Sequence, residues 1–96
     1  MTPNSLDPRV LLGQRIRELR ARHGVTQEEL ADRCSMFRTY LSRIESGRAN
    51  PTLTVLHGLS QGLGVSVVEL LAAPSEAVGR VRVVSAQPVS RGRAGR

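Results

Sequence analysis

Apolar positions recur at helical spacing in short runs along this chain, and polar or glycine-bearing breaks separate the runs. From about Arg9 to His23, Val10 or Leu12, then Ile16 and Leu19, share one side of a helix, while Arg15, Arg17, Arg20 and Arg22 cover the remaining faces. Gly24 is placed to close that helix as a left-handed C-cap, and His23 reads as a solvated helix end. The stretch Gln27 to Ser46, QEELADRCSMFRTYLSRIES, then reads as two short helices joined by a tight turn. Thr26-Gln-Glu-Glu29 has the form of a capping box. Leu30 and Ala31 supply an apolar side, and Cys34-Ser35-Met36 breaks the pattern. In the next run Leu41 and Ile44 share a face, and at about 100° per residue Thr39 and Arg43 lie opposite. Gly47 ends this run and Pro51 keeps it from continuing. Thr52 caps a fourth helix with Leu53, Leu56, Leu59 and Leu63 on its apolar side. Gly58 and Gly62 sit inside that helix at about 1 kcal/mol each relative to alanine; their spacing either permits close helix contact or is merely tolerated. Gly64 stops it, and Ser66-Val-Val-Glu69 forms a second capping box. A fifth helix follows with Leu70 and Leu71. The expectation is an all-α fold of five short helices around a Leu/Val/Ile core, without β-α alternation or internal repeats.

A short helix with a buried Leu/Ile side and an outward Arg/Thr side suits insertion into a DNA major groove. On that reading Arg38 and Arg43 are candidates for bidentate contact with guanine, and Thr39 for a thymine methyl. Phe37 and Ser42 complete the candidate base-reading set. Gln27 heads the preceding helix, whose N-terminus should face a phosphate, and Tyr40 is a further phosphate candidate.

The ordered series Gln27-x-x-Leu30-Ala31, Leu41-Ser42-Arg43-Ile44-Glu45-x-Gly47, Asn50-Pro51 and Leu63-Gly64-Val65-Ser66 resembles the Cro/cI-type (XRE) helix-turn-helix family. The resemblance covers roughly Leu12 to Leu71 and implies a compact, lambda-repressor-like domain over residues 9–73 with its motif at 27–46. It also implies that the second helix of the motif, residues 37–46, reads operator bases. It implies that the loop Gly47 to Pro51 runs along the phosphate backbone, where Arg48 and Asn50 can donate; Asn50 ahead of Pro51 can equally shape the turn. Finally, it implies an ion pair between Arg20 and Glu45, tying the first helix to the end of the recognition helix; the alternative is two separately solvated charges. Two positions depart from the family pattern. Ser35 stands where glycine is usual in the turn, and Phe37 stands where Ser or Thr usually caps the recognition helix. Either Ser35 caps that helix one turn early or its N-terminus is poorly capped.

Charge sharpens this picture only modestly. Ninety-six residues allow one small domain. The net charge of +6 comes from fourteen arginines and no lysine, which favours an anionic partner such as nucleic acid. Many basic domains bind no DNA, however. Cys34 is the single cysteine, so neither an intrachain disulfide nor a cysteine-based metal cluster can form. It reads as a small apolar residue under the turn rather than a redox sensor. No apolar run approaches the roughly 20 residues of a membrane span, and no signal peptide is visible, so a cytoplasmic protein is expected. Residues 1–8, with two prolines, read as a flexible leader. Residues 74–96 hold Arg80, Arg82, Arg91, Arg93 and Arg96 against Glu76 and read as a basic, mostly disordered tail. Within it, Val78 to Val84 partly alternates and can form a strand that pairs with a second subunit.

No carboxylate pair, nucleophile constellation, phosphate loop or metal spacing supports an enzyme, and no cofactor is expected. Two functions remain. The first is a sequence-specific transcriptional regulator that binds double-stranded DNA as a homodimer. The alternative is an antitoxin that binds a toxin protein, with the C-terminal tail as the candidate contact, and also represses its own operon.

Overall fold

A computed structural model describes residues 7–75. The expected strand at 78–84, the last part of the basic tail and residues 1–6 of the leader lie outside the described residues. Five helices follow in order: α1 Pro8–His23, α2 Gln27–Arg33, α3 Arg38–Glu45, α4 Leu53–Leu63 and α5 Val67–Leu71. No strand occurs among the described residues.

Each helix begins for a local reason. The Asp7 carboxylate accepts from the Arg9 amide at 2.9 Å and Pro8 fills the first turn, so α1 starts one residue ahead of the expected Arg9. Thr26 with Glu29, and Ser66 with Glu69, form complete capping boxes. Backbone amides of Thr26 and Ser66 donating to these two glutamates hold both carboxyls below their ordinary pKa. Thr52 accepts from the Val55 amide to open α4. Only α3 lacks a side-chain cap: Phe37 occupies its N-cap with no side-chain hydrogen bond. Ser35 does not cap it either. Ser35 instead takes the left-handed backbone, φ 54°, that a glycine adopts without cost.

The core is built from all five helices. Ile16, Leu30, Leu41, Ile44, Leu59 and Leu70 are fully buried. Helix α1 packs against α3, α4 and α5, and α2 packs against α3 and α4. Two expectations about faces need correction, those for Leu53 and Arg15. Leu53, assigned to the apolar side of α4, is 72% exposed because it opens the helix, a turn before the axis reaches the core. Leu71 is also largely exposed, while Leu70 is buried. Arg15 does not cover an outer face; it is buried, with Nε donating to the Glu69 carbonyl at 2.9 Å and Nη1 to Glu18 at 2.9 Å. The two α4 glycines also part ways. Gly58 faces open space, but a Cβ on Gly62 would stand 2.7 Å from Cys34 Sγ, so Gly62 is a close α2–α4 contact.

Candidate nucleic-acid interface

The turn from α2 into α3 fixes the direction of the outer face of α3. Met36 N donates to the Ala31 carbonyl and Ser35 N to the Asp32 carbonyl, closing the connection tightly. Helix α3 then locks Leu41 and Ile44 into the core and leaves Arg38, Thr39, Ser42 and Arg43 exposed. Phe37 is 81% exposed at its head, an unusual place for the only phenylalanine of the chain. Tyr40 is half-buried against the core. The five base-reading candidates therefore lie on or at the head of one solvent-facing helix.

The α3–α4 loop is held next to that helix. Arg48 N donates to the Arg43 carbonyl at 2.9 Å, and Arg43 Nη2 reaches the Arg48 carbonyl at 3.3 Å. Gly47, at φ 79°, lies so close to α1 that an added Cβ would sit 2.9 Å from Val10 Cγ2. Arg48 and Asn50 are both exposed on this loop.

Under the interface lies a polar network centred on Glu45, a carboxylate only 4% exposed. Arg20 approaches it with two parallel bonds, Nε to Oε2 at 2.7 Å and Nη2 to Oε1 at 2.9 Å. Arg20 Nη1 also donates to the Val25 carbonyl at 3.2 Å. Gln27 Nε2 donates to Glu45 Oε1 at 3.1 Å, and Arg17 donates to the Glu45 backbone carbonyl. A buried pair of this kind fixes geometry more than it adds stability, because desolvation offsets much of the attraction. Gln27, expected to face phosphate, thus has one amide hydrogen committed inside the protein. Its Oε1 accepts from Arg38 Nη1 at 3.4 Å.

Two residues of this site carried no signal in the pattern of apolar positions. Arg17 looked like one more surface arginine. Gly13 sits where α1 crosses the end of α3, and a Cβ there would stand 2.3 Å from the Glu45 carbonyl oxygen. A glycine inside a helix was the available clue.

Among the described residues no three His, Cys, Asp or Glu side chains gather as a metal site, and no helix is long and apolar enough to cross a membrane. Burial pushes the Cys34 thiol above its ordinary pKa, and its Sγ donates to the Gly58 carbonyl at 3.4 Å. That is the environment of a packing residue rather than of a reactive thiolate.

A tight helix–turn–helix with a locked inner face and an exposed, arginine-bearing second helix defines a DNA-binding module. A family model described as a helix-turn-helix domain matches residues 11–73. An uncharacterized HTH-type transcriptional regulator of Sinorhizobium fredii is 45% identical over 71 residues, 74% of this chain and 92% of its own length. The crystal structure of the hypothetical transcription factor NHTF from Neisseria superposes with a TM-score of 0.70 at 34% identity, covering 84% of this chain and 93% of that one. The restriction-modification controller protein C.Esp1396I, solved as a tetramer with its natural 35 base-pair operator, superposes with a TM-score of 0.62 at 34% identity, covering 67% and 88%. The chain belongs to the Cro/cI-type (XRE) helix-turn-helix family of DNA-binding transcriptional regulators. It is a sequence-specific DNA-binding regulator, and the antitoxin alternative is not favoured.

Proposed function

We propose that the protein acts on an operator as a homodimer, each subunit laying α3 in a major groove. The observation that carries this reading is the division of α3 into a core-locked Leu41/Ile44 side and an exposed side bearing Arg38, Thr39, Ser42 and Arg43. Arg38 and Arg43 pair with guanine O6 and N7, Thr39 meets a thymine methyl, and Phe37 and Ser42 pack at the base edges. Tyr40, Arg48, Asn50 and Gln27 hold the phosphates and set the register of the helix in the groove. One helix of eight residues spans too few base pairs to specify a genomic site, so two subunits are needed. Leu53, Val68 and Leu71, all exposed on α4 and α5, supply apolar surface for a second subunit to cover. DNA as the ligand supports a cytoplasmic location.

Footprinting on the DNA upstream of the protein's own gene tests this reading. The expected result is a pair of protected half-sites centred about 10 base pairs apart, one helical turn. Protection of a single isolated half-site would overturn the dimer, and protection without sequence preference would overturn base readout.

A further inference from the structure

A second polar cluster, separate from the Glu45 network, joins α1 to α5. The buried Arg15 donates from Nε to the Glu69 carbonyl and from Nη1 to Glu18 Oε1, both at 2.9 Å. The Glu69 carbonyl is one of the last four of α5, which no later turn of that helix can satisfy. A guanidinium placed there acts as a C-terminal cap. The chain then folds back over α1. Pro74 is buried, and the Ser75 amide donates to both oxygens of the Glu18 carboxylate, at 3.2 and 3.1 Å. Arg22 Nη2 closes the cluster, on Glu18 Oε2 at 3.4 Å and on Ser75 Oγ at 3.3 Å. Glu18 therefore clasps the strap of residues 72–75 onto α1, and Arg15 ties the last turn of α5 to the same carboxylate. A helix of five residues has too few internal bonds to hold its direction alone. The capping box of Ser66 and Glu69 closes its start, Leu70 anchors its middle, and the clasp closes its end.

We infer that Arg15 and Glu18 are positioning residues for the subunit contact: from α1 they clasp the end of α5 and its strap, and so fix the direction in which Val68 and Leu71 face a second subunit. The inference rests on the reading of Val68 and Leu71 as dimer surface and deepens it. Both are exposed on α5, on either side of the carbonyl that Arg15 holds. The physical reason is preorganisation. A segment already ordered in the free subunit does not have to be ordered at the moment of association. With the clasp open, the end of α5 frays and must be ordered at each encounter. Subunit affinity is then set on α1, beneath the surface that makes the contact.

The test is the dimer dissociation constant of the full chain, from sedimentation equilibrium over a concentration series. Four variants are compared with the unaltered protein: Ser75→Pro, Glu18→Ala, the two together, and Val68→Glu. Ser75→Pro removes the N–H that Glu18 accepts and alters no charge, so its effect cannot come from the added repulsion between subunits that Glu18→Ala brings. Both positions lie on the rim of the cluster, whereas Arg15→Ala would empty a buried site and risk the fold. Circular dichroism at the temperature of sedimentation establishes that each variant is folded. Ser75→Pro should raise the dissociation constant about tenfold, the scale of one charge-assisted hydrogen bond. Glu18→Ala should raise it further, and the double variant should match Glu18→Ala, because the amide has already lost its acceptor. A role confined to folding would lower the thermal midpoint and leave the dissociation constant of the folded chain where it was. A dimer broken by Val68→Glu but kept at full strength in Ser75→Pro and Glu18→Ala therefore overturns the inference alone, as does a double variant weaker than Glu18→Ala. A full-strength dimer in Val68→Glu overturns the reading of the α5 surface, and this inference with it.

Discussion

At the scale of single residues, the exposed arginine and the buried glycine make opposite predictions. Arg43 makes one long, exposed contact within the protein, to the Arg48 carbonyl at 3.3 Å. Leaving that bond for a guanine costs little, since an exposed bond exchanges readily with water. Arg43→Ala should therefore leave thermal stability within about 0.5 kcal/mol, while operator discrimination falls by about 1–3 kcal/mol. Titration of operator and unrelated DNA checks this, and an equal loss on both would make Arg43 a phosphate contact. Gly13 bears on the fold instead. Its added Cβ would meet the backbone carbonyl of Glu45 at 2.3 Å, and a backbone atom cannot swing aside as a side-chain tip can. Gly13→Ala should cost about 1–3 kcal/mol or more by overpacking. Gly58→Ala, which meets no neighbour within 4 Å, should gain up to about 1 kcal/mol from helix propensity. Denaturant midpoints measure both. Equal midpoints for the two variants would mean that α1 can slide along α3 freely.

At the scale of elements, what was legible in the sequence was what is local. Both capping boxes, the Gly24 terminus and the two faces of α3 depend on residues within a turn of one another, and all are present in the structure. Arg15 departs from its expected face, and the two alternatives for Gly62 are decided, by surroundings that come from elements far along the chain. Arg15 bonds to a carbonyl 54 residues away, and a Cβ on Gly62 would meet the sulfur of Cys34, the residue that follows α2. Periodicity assigns a residue to a face of its own helix, but not the partner that covers that face or leaves it bare. The head of α3 shows a local rule set aside. Phe37 has the extended backbone of an N-cap, φ −69° and ψ 139°, yet no oxygen with which to cap. Phe37→Ser should stabilise the domain by about 1 kcal/mol. Little burial is lost, because the ring is 81% exposed. Operator affinity should fall in the same variant if the ring packs on base edges. Thermal unfolding beside a binding titration separates the two effects. Lower stability in Phe37→Ser would show that the ring holds the turn.

At the scale of the whole molecule, charge and apolar surface are divided unevenly. Residues 7–75 hold nine arginines and seven acids, a net +2, while residues 76–96 hold five arginines and Glu76, a net +4, together giving the +6 of the chain. Several of the nine are engaged by partners of their own; Arg9, Arg15, Arg20 and Arg22 form ion pairs. Dimerisation should depend on the apolar share. Val68→Glu, at a side chain 80% exposed, should leave the subunit folded and shift sedimentation toward the monomer. An unaltered dimer would move the interface away from α5. Affinity for DNA as a polyanion should depend on the basic share. The five arginines of residues 76–96 stand among Gly, Ser and Val, and each one that touches a phosphate releases counterions and adds about 0.9 to the slope of log K against log salt. Deleting Ser90 to Arg96 removes three of them. The slope should flatten accordingly, while footprint position and the ranking of operators stay the same. An unchanged slope would mean that these arginines stay clear of DNA in the complex. A changed ranking would mean that they enter the minor groove, where arginine senses groove width and sequence together; base readout would then extend beyond α3.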